Sequence, residues 1–355
     1  MLNLLPALLI AFSVSILTIK ILLPLAPHIG LVDIPTARKK HNGAIPLIGG
    51  ISIFTGVLIA STLFVDRSQI LNLYLISSAL IVFLGTLDDI YDLSVGSRII
   101  FQGIVASIMV FGADIFISNL GSIAGGSPVD LGYFGIIFTI LACLAAINAF
   151  NMVDGIDGLA GAMSIVTIGS IASLNLFAGQ LDLIILPLVI VVAILPFFFY
   201  NVSRRNPRGK KIFMGDAGSM FMGLTVIWLL TLNTQGESAS FRPVTALWII
   251  SIPLIDMIAI MIRRLIAGNS PFKADNGHLH HTLLQAGFSS RKALVTITLL
   301  SLSISIIGIS LEMLKVPAWI SLNLFIAVFI AYLIIISGYW KRQEALSCKT
   351  SNKTF

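Results

Sequence analysis

Eleven runs of mostly apolar residues recur along the chain, at 4–23, 47–65, 70–87, 99–117, 132–150, 158–178, 183–200, 217–233, 243–262, 293–312 and 317–339. A run of roughly 20 such residues is what a helix needs to cross a bilayer. The polar loops between the runs are short, so little chain remains from which a water-facing core could form. The charge supply agrees: 11% of the 355 residues are charged, against about 25% in ordinary soluble domains. In lipid each segment must satisfy its own backbone hydrogen bonds, which helices do. The expected fold is therefore an all-α polytopic membrane protein with about 11 transmembrane helices. One integral-membrane domain is expected over 1–340, followed by a polar tail at 341–355. The first run has no basic leader and no small-residue cleavage site, and reads as a membrane helix. Cys143 lies in an apolar run and Cys348 in the tail, so neither a disulfide nor a cysteine metal site is expected.

Positive charge assigns the sides. With the N-terminus outside, the inner segments are 24–46, 88–98, 151–157, 201–216, 263–292 and 340–355. They hold 18 of the 22 Lys and Arg residues, and Lys20 sits at the inner end of the first run. Only Arg67, Arg242 and Lys315 fall outside. That asymmetry predicts a periplasmic N-terminus and a cytoplasmic C-terminus. The inner loops are also the longer ones, which places any active surface at the cytoplasmic face.

Six aspartates concentrate where apolar runs meet those inner loops. The first set is Asp88-Asp89-Ile90-Tyr91-Asp92. If the helix continues, Asp88 and Asp92 share a face, and so many carboxylates repel one another unless a cation compensates. Mg²⁺, which takes carboxylate and phosphate oxygens, suits such a cluster. The second set is Asn148, Asn151, Asp154 and Asp157, spaced in threes, with Gly155 and Gly158 allowing tight turns. The third, Phe213-Met214-Gly215-Asp216-Ala217-Gly218-Ser219, follows the basic stretch Arg204 to Lys211 and opens an apolar run. Asp216 there lies beside a helix N-terminus, a natural anion site. The fourth is His278-Leu279-His280-His281, after Arg263 and Arg264. Its spacing and the lack of cysteine argue against structural zinc and favour phosphate contacts or proton handling. Arg38-Lys39-Lys40-His41 stands before a glycine-rich helix mouth ending Gly49-Gly50. Asp256 lies inside an apolar run, where a carboxylate is functional or paired, and Arg263 or Arg264 is its expected partner.

Carboxylates for a metal, cations for oxyanions and glycines for close approach are the parts of a phosphoryl-transfer site. Here that site borders lipid, which implies a lipid-embedded substrate. Asp88–Asp92, Asn148–Gly158, Phe213–Ser219 and His278–His281, in this order, resemble the motifs of polyprenyl-phosphate hexose-1-phosphate transferases. The resemblance covers residues 20 to 292 well. It implies Mg²⁺ or Mn²⁺ dependence and release of UMP. It further implies Asp216 as a metal ligand, joined by Asp88 and Asp92, and Asp88, Asp89 and His278 as catalytic groups. Asn148, Asn151, Asp154, Asp157, Phe213, Arg264, His280, His281, Lys40 and His41 complete the expected substrate contacts. Whether Asp88 is a base or orients the lipid phosphate stays open.

The branch of this family that builds cell-wall precursors resembles a triple-histidine motif with a Thr-Pro-Thr-Met-Gly-Gly loop. This chain instead has His278-Leu279-His280-His281 and Ile45-Pro46-Leu47-Ile48-Gly49-Gly50. The resemblance thus favours UDP-N-acetylglucosamine as donor and undecaprenyl phosphate as acceptor, at the bacterial inner membrane. The product would feed lipopolysaccharide O-antigen or a related surface glycan. Another UDP-hexosamine donor stays open, and no nucleic-acid partner is expected. The competing class is a cation-coupled transporter. Against it, the acidic residues gather at one face rather than at mid-membrane.

Overall fold

The computed structural model describes residues 3–35, 43–202, 211–270 and 277–351, with side chains to residue 340. Thirteen helices account for most of it: α1 (Leu4–Leu25), α2 (Gly49–Phe64), α3 (Gln69–Tyr91), α4 (Val95–Ser107), α5 (Phe134–Val153), α6 (Leu159–Phe177), α7 (Ile185–Val202), α8 (Gly215–Thr234), α9 (Pro243–Ile249), α10 (Ser251–Ile266), α11 (Leu279–Gln285), α12 (Ser290–Met313) and α13 (Ala318–Ser351). Among the described residues, nine helical stretches are long and apolar enough to span a membrane. α9 and α10 together form a tenth candidate, broken by an 80° bend. The run expected at 47–65 is the 16-residue α2, too short to count with the nine. This is a multi-pass membrane protein, and eleven full spans resolve into nine, a bent pair and a short helix.

Eighteen of the 20 residues of α8 are buried. The helix packs against α2, α3, α5, α6 and α9, and so forms the axis of the bundle. α1 and α13, by contrast, turn Leu5, Leu9, Ile334 and Ile335 outward, as a helix facing lipid should. Buried polar side chains on the axis find partners: Tyr74 of α3 meets the Thr225 hydroxyl at 2.9 Å, and its ring packs edge-on to Trp228.

The N-terminal end of α8 is held by glycine contacts. A Cβ on Gly50 would lie 2.2 Å from the backbone N of Gly218, and one on Gly85 would lie 2.4 Å from the Ala217 backbone. With no side chains between them, α2 and α3 close directly onto the first turn of α8. A small antiparallel hairpin, β1 (Val32–Asp33) with β2 (Ile45–Pro46), continues this seam. Phe213 N–H donates to Pro46 O at 2.8 Å. Gly49 N–H and Gly50 N–H donate to Phe213 O and Met214 O at 3.0 and 2.9 Å. These bonds occupy donors that the start of α2 would otherwise leave orphaned.

Gly50→Ala should therefore force two backbones apart and destabilise the protein by about 1–3 kcal/mol. Gly103, inside α4, has nothing within 4 Å of the point where a Cβ would stand, and Gly103→Ala should stabilise by about 0.5–1 kcal/mol. Thermal unfolding in detergent distinguishes the two. A Gly50→Ala protein that melts with wild type would contradict the close seam.

Candidate active site

Every one of the four motifs meets at one end of the bundle, and the start of α8 is where they join. Gly215 has φ +71°, and a Cβ there would lie 2.5 Å from Asp89 Oδ2. Asp216 N–H donates to Asp89 Oδ1 at 2.9 Å and Ala217 N–H to Oδ2 at 3.3 Å. Asp89 thus caps α8 from another helix, setting a carboxylate against the positive end of its dipole. One residue earlier on α3, Asp88 is taken up differently. Its Oδ1 accepts Leu93 N–H at 2.8 Å and its Oδ2 pairs with Arg98 at 2.9 Å. Arg98 carries no motif, and its position ten residues on was the only sequence hint of this role.

Of the expected metal set, the Asp88 and Asp216 carboxyls lie against each other at the head of α8, but Asp92 stands apart. α3 ends at Tyr91, and Asp92 turns left-handed with φ 51° and is exposed. The helix therefore does not continue through the motif, and Asp88 and Asp92 do not share a face. Asp residues tolerate that backbone conformation well, and the turn lets Leu93 N–H reach Asp88. Among the described residues, no group of three or more His, Cys, Asp or Glu side chains is arranged to hold a metal.

The second motif approaches from the end of α5. Asn151 Nδ2 donates to Asp216 Oδ1 at 2.7 Å and to Ser219 Oγ at 3.1 Å. Asp154 faces solvent in the loop beyond α5. The protein around it, then Asp216, then Asp157, push its carboxyl upward. Asp157 pairs with Lys211 at 2.6 Å, whose ammonium also lies 5.0 Å from the centre of the Phe213 ring. Asn148 does not join them. Its amide donates to Gln102 Oε1 and Leu144 O at 2.9 and 2.8 Å, which ties α5 to α4.

The histidines close the far side. A Cβ on Gly155 would lie 2.0 Å from His280 Nε2, so the ring edge rests on the backbone of the Asn/Asp loop. His278 and His280 stack in parallel with centroids 5.8 Å apart. His278 Nδ1 lies 2.9 Å from Asp256 Oδ2. Asp256 is thus bonded to a histidine rather than to Arg263 or Arg264, because the chain after α10 returns His278 to that helix. Arg264 is buried and Arg263 lies over the Trp340 ring at 4.6 Å. Lys40, His41 and Arg204–Lys210 lie outside the described residues.

The sequence comparisons meet this geometry. The profile described as glycosyl transferase family 4 matches residues 71–233, which include the first three motifs. An undecaprenyl-phosphate alpha-N-acetylglucosaminyl 1-phosphate transferase of Pasteurella multocida (strain Pm70) is 44% identical over 335 residues, 94% of each chain. Its Salmonella typhi counterpart is 44% identical and that of Escherichia coli (strain K12) 43%. Both alignments cover 89% of this chain and 86% of the relative. The chain belongs to the polyprenyl-phosphate sugar-1-phosphate transferase family. As a family member it brings together at one end what the sequence scattered: Asp88, Asp89, Asn151, Asp154, Asp157, Phe213, Asp216, His278, His280 and His281.

His280 carries a pH consequence. It is 2% exposed, and among the described residues its Nε2 has no hydrogen-bond partner. Burial first, then His281 and His278, lower its pKa to about 3. The unfolded chain binds a proton at this ring below about pH 6.5 and the folded one does not. Its contribution to stability is therefore complete above pH 6.5 and is lost as pH falls below it, by about 2 kcal/mol at pH 5. The drop in melting temperature between pH 7.5 and 5 should shrink in His280→Asn. Equal drops in the two proteins would refute the buried neutral ring.

Proposed function

We propose that the protein transfers N-acetylglucosamine 1-phosphate from UDP-N-acetylglucosamine to undecaprenyl phosphate. An acceptor oxygen bonds to the sugar-linked phosphorus, the phosphoanhydride bond to the nucleotide breaks, and UMP leaves. The observation that carries this reading is the joining of Asp216, Asn151, Asp89 and Asp88 at the head of α8. It occurs in a chain aligned over 94% of its length with a relative named for this transfer. The asymmetry of Lys and Arg supports a site at the cytoplasmic face of the inner membrane, with the product entering an O-antigen or related surface-glycan route.

The chemistry asks mainly for charge neutralisation. A phosphate monoester has its second pKa near about 6, so the acceptor is largely dianionic at neutral pH and needs little proton abstraction. Asp88, with both oxygens already engaged, then orients rather than deprotonates. Two anions must approach in surroundings of low dielectric, where their repulsion is large. Desolvation by the surrounding protein first, then repulsion from Asp216 and Asp157, pushes Asp154 upward; an added cation would relieve that repulsion, so the donor set fits Mg²⁺ or Mn²⁺. Asp216 and Asp154 would hold it, and it would neutralise the donor diphosphate. One or two carboxylates plus substrate phosphates are how Mg²⁺ is usually bound, which agrees with the lack of a ready three-ligand cage among the described residues. Arg264 and Lys211 supply further positive groups around the phosphates, and His278 adds a hydrogen-bonding nitrogen beside them.

The acceptor's isoprenoid tail needs an apolar bed. An apolar cavity of about 480 Å³ lies between α5, α8 and the bent pair, lined by Ala142, Ala146, Leu230, Leu247, Ile250 and Leu254. Its α8 residues, Ile227 to Thr234, stand at the opposite end of that helix from Asp216, so the cavity lies away from the head of α8 where the acids gather. A long isoprenoid tail whose phosphate sits at the head of α8 would reach it only by running along the bundle.

Asp216→Asn keeps the shape and removes a charge, so turnover should fall below a tenth of wild type, a barrier rise above about 1.4 kcal/mol, while the protein still inserts. Because one anhydride replaces another, UMP added to the glycolipid should regenerate UDP-N-acetylglucosamine, and EDTA should stop both directions. A fully active Asp216→Asn enzyme, or turnover indifferent to EDTA, would remove this assignment.

A further inference from the structure

Asp256 stands apart from the motifs that resemble the family's, yet three hydrogen bonds converge on its carboxylate. It lies in α10, seven residues before Arg263, or roughly 10 Å along the helix axis, and is 3% exposed. Its Oδ1 accepts Leu279 N–H at 3.0 Å and Tyr332 O–H at 2.7 Å. Its Oδ2 meets His278 Nδ1 at 2.9 Å. Three elements therefore meet at this side chain: α10, the start of α11, and α13. Trp340, further along α13, donates from Nε1 to Gly277 O at 3.1 Å and carries the Arg263 guanidinium on its ring. The backbone entering His278 is thus fixed from both sides.

A carboxylate only accepts hydrogen bonds. Facing one, the imidazole must carry its proton on Nδ1, which leaves Nε2 as the atom free for other work. Histidines that act on ligands are commonly set in this way, with one nitrogen held so that the other is presented. Tyr332 and Leu279 in turn prevent the carboxylate from rotating away from the ring.

We propose that Asp256, steadied by Tyr332, is a positioning residue for transfer: it fixes the tautomer and orientation of His278 so that the Nε2 lone pair is presented as a hydrogen-bond acceptor to an O–H or N–H of the bound nucleotide sugar. This rests on the reading above in which the nucleotide sugar binds at this end of the bundle. Asp256 itself touches no substrate, and its effect passes through the ring.

Asp256→Asn tests it with little change of shape. The amide oxygen can still accept from Leu279 and Tyr332, whereas the amide nitrogen now donates toward Nδ1 and moves the ring proton to Nε2. The nitrogen spectrum of protein labelled with ¹⁵N-histidine, with His278 assigned by its loss in His278→Gln, reads that change without any assay. Wild type should show a protonated Nδ1 and an unprotonated Nε2, and Asp256→Asn the reverse. In kinetics, kcat/KM for the nucleotide sugar should fall on the order of tenfold, with the melting temperature nearly unchanged. The double variant Asp256→Asn/His278→Gln should be no slower than His278→Gln. An unchanged nitrogen pattern in Asp256→Asn, or losses that multiply in the double variant, would overturn the proposal. If wild type released no UMP, the function reading would fail instead, and the nitrogen pattern would still decide whether Asp256 sets the ring.

Discussion

Two backbone N–H groups at the head of α8 donate to the carboxylate of Asp89 on α3, and the arrangement of the site follows from that contact. A helix start buried within a bundle must find acceptors for its first donors. An acid from a neighbouring helix supplies them and complements the dipole as well. The bond forms because the chain has glycine at the points of closest approach. Gly215 leaves room for the Asp89 carboxylate, while Gly50 and Gly85 let α2 and α3 reach the α8 backbone. Asp216 is thereby fixed at a defined point, and Asn151 arrives from α5 to meet it at 2.7 Å. A larger residue at any of these glycines would move the acid that the rest of the site is arranged around.

The electrostatics follow the same plan. Asp88, Asp89, Asp154 and Asp216 gather at one end of an apolar bundle, and their mutual repulsion is relieved in separate ways. Arg98 pairs with Asp88 and backbone donors take Asp89. Asp154 keeps a solvent-facing edge and Lys211 serves Asp157. Each acid has its own environment, and environment rather than residue type sets how each carboxylate is engaged. The histidine segment completes this end because the Gly155 backbone offers the His280 ring a flat seat.

Hydropathy located the elements well, since a membrane helix needs only length and apolarity to be recognised. The four motifs were legible for a similar reason: acids, glycines and histidines are scarce in apolar sequence and stand out in clusters. Partners were not legible. Asp256 and Arg263 share a helix face by spacing, but the return of His278 to Asp256 is a tertiary event that no local pattern encodes. Asn148 falls into the three-residue rhythm of the second motif and yet bonds to Gln102, because the rhythm of a helix rotates it toward α4. The regular reading of Asp88 to Asp92 failed at a single φ angle, where α3 stops one residue early for a shared face. α2 and the 80° break between α9 and α10 were hidden because apolar runs do not record where a helix bends.

The central claim is that this bundle end carries a phosphorus atom, with its sugar, from nucleotide to lipid. The most direct measurement follows that atom. Purified protein would be given undecaprenyl phosphate and UDP-N-acetylglucosamine labelled with ³²P only at the sugar-linked phosphate. The account predicts that the label partitions into the lipid fraction as a diphosphate sugar, leaving unlabelled UMP in water. Label retained in the water-soluble nucleotide, while the sugar alone moved to the lipid, would contradict it.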